Sequence, residues 1–437
     1  MAYRLSWIES AGGLTFPKEE KSSMQKSMRK FDYLILGGGV VAGYAAQEFA
    51  QQKRKGTNVA IISADQALPY ERPPLSKGYL AGEKETQDIL INDPDFYGEN
   101  EIEVFLETPI EKVDLDEKKL VAENGQEFTY GKLLIATGSQ VRKLDVPGAD
   151  DEAVFYLRWL DNAQTIRQRA AESKRAVVVG GGFIGLETAS VLAQEGVDVT
   201  MAFPEGYVME RLFTPEMGDF FHRYYSERGV TILPRSTVVG FDRHRGELAV
   251  KLKSGDRLQT DMAIVGIGAQ PAVELFHDTA LETDDGIVVN EFLETSLPDV
   301  YAAGDVARYK DLIFDTYRRV EHWDNAMAQG THAAQVMSGK RQPFEHLPYF
   351  FSDEFDLSWE FWGDASDADT TIHRGNVAGG EFSTWWIKGK RLVAAFALNR
   401  PEAEGKVAQQ LIRSQEPAPV DLLRNSSLAL EDSPVLA

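Results

Sequence analysis

RAVVVGGGFIGLETA, at 175–189, and FDYLILGGGVVAGYAA, at 31–46, have one shape between them. Each is a short apolar run, a glycine cluster and then a helix of small residues. That order spells a parallel strand, a tight turn and a helix whose N-terminus faces the turn. Backbone N–H groups and the helix dipole then favour a phosphate at that point. One such unit holds one dinucleotide; two predict a protein that holds two nucleotides against each other.

In the first copy, residues 33–36 read as a buried strand, and Gly37, Gly39 and Ala42 fit G-x-G-x-x-[G/A]. The first glycine permits the turn, the second lets backbone approach a pyrophosphate, and the small third residue lets helix and strand pack closely. The pattern predicts a helix over 44–52 and a second strand over 58–62. Asp65 follows that strand, placed to accept hydrogen bonds from a ribose. In the second copy, strand 176–179 leads to Gly180, Gly182 and Gly185, then helix 186–194. Strand 197–203 ends at Glu205, whose carboxylate suits the free 2′-hydroxyl of NADH and repels the 2′-phosphate of NADPH.

The composition narrows the chemistry. The chain of 437 residues has no cysteine, so disulfides, cysteine–zinc sites, iron–sulfur clusters bound by this chain and thiol nucleophiles are excluded. Redox chemistry must belong to a bound cofactor. The seven histidines show no metal-ligand spacing. A net charge of −22 disfavours nucleic acid and anionic membrane. No apolar run is long enough to span a bilayer, and the start lacks a secretory pattern, so the expected location is cytoplasmic.

Further glycine turns follow apolar strands in KLLIATGS (132–139), MAIVGIGAQP (262–271) and PDVYAAGDVA (298–307). Residues 102–130 and 247–260 alternate apolar and polar, as small antiparallel sheets would. The pattern predicts an α/β protein with two Rossmann-like dinucleotide-binding domains and a small α+β C-terminal domain. The expected limits are an arm at 1–29, an FAD-binding domain at 30–155 and 276–344, an NAD-binding domain at 156–275 between its halves, and a C-terminal domain at 345–437. A helix is expected near 403–413, and another after His322 with Asp324 or Asn325 as its cap.

The motifs PYERPPLSKGYL (69–80), ATG (136–138), GGGFIGLE (180–187), YAAGDVA (301–307) and VEHWDNA (320–326) resemble the glutathione reductase-like flavoproteins that bind FAD and NAD(P). Within them the chain resembles the cysteine-free branch: monodehydroascorbate reductases, oxygenase-coupled ferredoxin and rubredoxin reductases, and apoptosis-inducing-factor-like proteins. The stretches 155–158, 197–217 and 347–364 are most similar to monodehydroascorbate reductases.

The resemblance implies FAD contacts at Gly37, Gly39, Val40, Val41, Ala42, Asp65, Arg72, Lys77, Thr137, Gly138, Arg158, Gly304, Asp305, Glu321, His322, Trp323 and Phe351. It implies NAD contacts at Gly180, Gly181, Gly182, Phe183, Ile184, Gly185, Glu187, Glu205, Arg211 and Gly268. Lys77 is expected near flavin N5 with Glu187 as partner, stabilising the negative charge that arrives with hydride. Phe183 is expected to cover the ring where nicotinamide stacks. The implied reaction carries hydride from NADH to FAD and releases electrons, one at a time, to a small radical or a small iron–sulfur or rubredoxin-type carrier. A redox-sensing flavoprotein is the reading from another class. The protein would be a monomer or homodimer. At the acceptor site the chain departs from the reductase pattern: Met327 and Asp353 stand where arginines are usual, and Phe351 where a tyrosine is.

Overall fold

The computed structural model describes residues 28–52, 56–244, 246–426, 428 and 430. The expected N-terminal arm lies outside these residues except at its end, where Met28 and Arg29 open the first strand.

Strand Met28–Leu36 is central to a seven-stranded sheet, parallel to Val59–Ile62 on one side and Glu127–Ile135 on the other. All of Val59–Ile62 is buried, as a parallel strand covered on both faces must be. Ile102–Phe105 extends the sheet in parallel. The antiparallel piece expected over 102–130 is therefore smaller, and it is not a separate sheet. Ile110–Asp114, Lys119–Ala122 and the first half of Glu127–Ile135 form its hairpins on the same sheet. Val300–Ala302, far along the chain, pairs with Leu133–Ile135 and completes the sheet.

The two fingerprint helices, Val40–Gln52 and Phe183–Gln194, start directly on their glycine turns, a few residues before the positions expected. Helix Trp323–Met337 crosses the first of them closely: a Cβ on Gly330 would sit 2.6 Å from the Val41 carbonyl oxygen. Neither Asp324 nor Asn325 caps this helix. His322 is the N-cap residue, and both expected caps lie in the first turn. There Asn325 donates back to the Val320 carbonyl at 3.2 Å and Asp324 pairs with His346, so both side chains are already engaged.

The second sheet is parallel, in the spatial order Thr231–Leu233, Asp198–Ala202, Arg175–Val179, Met262–Val265, Val154–Tyr156. A three-stranded antiparallel meander, Val238–Thr260, covers one face through Phe241, Leu248 and Val250. The last sheet has five antiparallel strands between Tyr349 and Leu398, with helix Glu402–Ser414 behind it. Its core is aromatic, with Trp359, Trp385 and Phe396 fully buried. Arg374 is also buried there. It is held by Glu404 at 3.0 Å and by the Asn425 carbonyl at 2.6 Å, which ties down the chain's last described turns. Strand Tyr349–Glu354 packs on one side of the second fingerprint helix and the turn Pro73–Ser76 on another, which brings Ser352 and Lys77 to Glu187.

Candidate active site

A cavity of about 650 Å³ runs along the seam of the three sheets. Both glycine fingerprints open into it. A Cβ on Gly37 would sit 2.1 Å from the Ala136 carbonyl oxygen, and one on Gly180 would sit 2.2 Å from that of Gly266. These first glycines are jammed against the neighbouring strand. The second glycines are the opposite case. Gly182 meets nothing within 4 Å and Gly39 only the tip of Arg72, and both line the cavity. Each leaves bare backbone facing the cavity, as close approach of a pyrophosphate requires. Ala42 and Gly185 lie behind the cradles as packing positions, Gly185 hard against the Gly180 carbonyl.

Beyond the first cradle the wall turns polar. Asp305 accepts from Ser139 at 2.7 Å and pairs with Arg158 at 3.3 Å. Arg72 donates to the Arg158 carbonyl and lies over the Trp159 ring. Val40, Val41, Thr137, Gly138, Glu321, His322, Trp323 and Phe351 also line the cavity. Gly304 supports it from behind, its N–H donating to buried Gln329 at 2.7 Å. Asp65 departs from expectation. It is buried away from the cavity and accepts from the Tyr70 hydroxyl at 2.9 Å, while Ser63 and Ala64 line the wall at that point.

Lys77 and Glu187 meet at 2.8 Å across the seam. Lys77 lies just past the turn Pro73–Ser76, and Glu187 is one turn into the second fingerprint helix. Ser76 and Ser352 both donate to Glu187, the latter at 2.6 Å. The carboxylate therefore has three donors, which offsets the cost of its burial. Lys77 also sits 5.3 Å from the centre of the Phe351 ring. Phe183 packs edge-on to His322 and Phe350, at 5.5 and 5.4 Å, and so closes the cavity from the second unit. Phe350 stacks on His322 at 4.2 Å. Burial pulls the His322 imidazole down to about 4, against the pull of Asp305 and Asp324, so it is neutral at pH 7.

On the second side Ile184 and Gly268 line the cavity, while Gly180, Gly181, Glu205 and Arg211 do not. Glu205 is half-buried on the loop after strand Asp198–Ala202, and Arg211 is exposed. Sequence reasoning missed Ser76, Ser352, Tyr349 and Phe350. Ser76 adjoins Lys77 and could have been found; the others flank Phe351 on strand Tyr349–Glu354, whose motif at 347–364 was the signal that could have found them.

Comparison with known proteins agrees with this geometry. Residues 31–330 match the pyridine nucleotide-disulphide oxidoreductase family and 349–433 the reductase C-terminal family. A monodehydroascorbate reductase of Solanum lycopersicum is 40% identical over 92% of this chain and 98% of its own. Among solved structures, a ferredoxin reductase of Rhodopseudomonas palustris is 31% identical, with a TM-score of 0.87, over 92% of this chain and 98% of its own. A covalent putidaredoxin reductase–putidaredoxin complex gives 31% and 0.88 over 92% and 97%. The open glycine cradles, the polar wall and the Lys77–Glu187 pair fit FAD and NAD(H), the cofactors of this group. The chain belongs to the pyridine nucleotide-disulphide oxidoreductase family, as an NADH-dependent FAD oxidoreductase of the monodehydroascorbate reductase type.

Proposed function

We propose that this protein reduces the monodehydroascorbate radical, one electron at a time, with NADH as donor. The observation that carries the reading is its end-to-end likeness, at 40% identity, to a protein of that activity. When bound, FAD supplies the exchange between a two-electron donor and a one-electron acceptor.

The chain's own residues do the rest. Gly39 and Gly182 would admit the two pyrophosphates, and Asp305, with Arg158 and Ser139 around it, would hold the flavin side. Lys77 keeps a positive charge where hydride's negative charge arrives, and Glu187 holds that ammonium in one place. Phe183 excludes water until nicotinamide takes its position. Neutral His322 supplies no proton. It ends the loop before helix Trp323–Met337, whose N-terminus adds partial positive charge at the cavity wall.

A ferredoxin-type carrier is the second reading. The acceptor end favours it at one point, because exposed Asp353 and half-buried Met327 and Phe351 offer a radical anion no arginine. Steady-state NADH oxidation with monodehydroascorbate, ferricyanide, a quinone and several ferredoxins separates the readings. Turnover with monodehydroascorbate well above the rest is expected; turnover with ferricyanide alone would remove both.

A further inference from the structure

Strand Tyr349–Glu354 turns Ser352 and Glu354 to the same buried side, with Asp353 outward between them. Glu354 is 1% exposed. One of its oxygens accepts from Trp359 Nε1 at 2.8 Å. The other, Oε1, meets no donor among the described residues. The Ser352 hydroxyl lies beside it, but its single proton is committed to Glu187 at 2.6 Å. Glu187 in turn holds Lys77 at 2.8 Å. Helix Pro215–Ser226 brings one further titratable group, Tyr225, whose hydroxyl is spent on the Leu186 carbonyl at 3.1 Å. The pocket thus contains two carboxyl groups and one cation. Ionising both would leave an uncompensated charge in a buried site, at a cost of several kcal/mol. Glu187 has three donors and Glu354 has one, so the proton belongs on Glu354.

We propose that Glu354 and Glu187 form a one-proton carboxyl pair, and that Glu354, as its neutral member, keeps the surroundings of Lys77 free of excess negative charge while hydride arrives. The proposal rests on the reductase reading and adds to it a positioning residue that acts through Glu187 and Lys77. Burial first, and the charge of Glu187 second, push the Glu354 carboxyl up to about 8, against the pull of Trp359 and Lys77. Burial first, then the two carboxylates, drive Tyr225 well above its ordinary range, so it stays neutral throughout. Above about pH 8 the pocket therefore gains a second negative charge.

The test uses the FAD-loaded full chain and Glu354→Gln, which keeps the shape of the neutral acid. In the wild type, the rate at which NADH bleaches the flavin is expected to fall about tenfold as pH rises through about 8, with a flat profile in the variant. Infrared difference spectra should show a protonated-carboxyl band that is lost over the same range and is absent from Glu354→Gln. Thermal melting supplies a third readout. The folded chain keeps this proton up to about 8, whereas the unfolded chain has lost it above the ordinary glutamate value of 4.5. Stability contributed by this group therefore falls as pH rises from about 4.5 to about 8, and Glu354→Gln should melt with a shallower slope there. If Glu354→Gln folds poorly, Trp359→Phe removes a donor to the charged form and should move the loss of the band to higher pH. A carboxyl band that survives in Glu354→Gln, or an unchanged alkaline fall in rate, overturns the proposal. If NADH fails to bleach the wild type at any pH, the reductase reading fails, and the band and the melting slope still decide Glu354.

Discussion

The two fingerprint units begin alike and end differently. In both, the first glycine is wedged under a strand carbonyl and the second faces open space. Around the first cradle the protein closes in: helix Trp323–Met337 lies across the fingerprint helix, and Arg72, Arg158 and Asp305 build a polar wall. Around the second the surroundings stay open. Ile184 and Ile267 are each 36% exposed, and Glu205 and Arg211 lie outside the cavity. The same local chemistry is thus enclosed in one place and left open in the other, as a resident cofactor and an exchanging substrate would respectively require. The difference lies in what later parts of the chain lay over each cradle.

Substitutions can break this contrast. The largest effect is expected from Gly39→Val, which fills the enclosed cradle: the purified protein should be colourless and remain so with added FAD. Lys77→Ala should keep its colour yet be bleached by NADH about 10²–10³-fold more slowly, the usual scale for losing a preorganised charge. Stopped-flow absorbance checks both. Gly182→Val should stay yellow and need about 10²-fold more NADH for half-maximal bleaching, consistent with about 3 kcal/mol for lost contacts to a charged group. If it loses FAD instead, the two cradles are not functionally distinct. The smallest effect belongs to Glu205→Ala, which should relax the preference for NADH over NADPH by about tenfold, read as a ratio of kcat/KM. An unchanged ratio would mean that the open unit does not read the ribose through this carboxylate.

The cradles were legible because their steric rule is local: five or six residues decide whether backbone can turn and approach a phosphate. Lys77 and Glu187 were legible as a pair through their motifs, although their contact spans two domains. The bond that Asp65 accepts from Tyr70, only five residues on, was not legible, because nothing in the spacing announces it. Strand Ile102–Phe105 was misread as antiparallel because a short alternating strand does not reveal which way its neighbour runs. Ser352 and Glu354 were not foreseen. Alternation could place them on one face of a strand, but not against a helix more than 150 residues earlier in the chain.

The pairing of Val300–Ala302 with Leu133–Ile135 also has a consequence for synthesis. On a ribosome adding about 5–20 residues per second, the outer sheet waits roughly ten to thirty seconds for its last strand. Late in that interval the inner unit, 154–265, has all its own strands, while the far half of Glu127–Ile135 presents a bare hydrogen-bonding edge. Such edges invite pairing with other chains. The nascent protein is therefore exposed to misassembly at this edge after the strands of its middle are made and before the sheet at its beginning is complete, and a chaperone that shields this edge would matter most in that window.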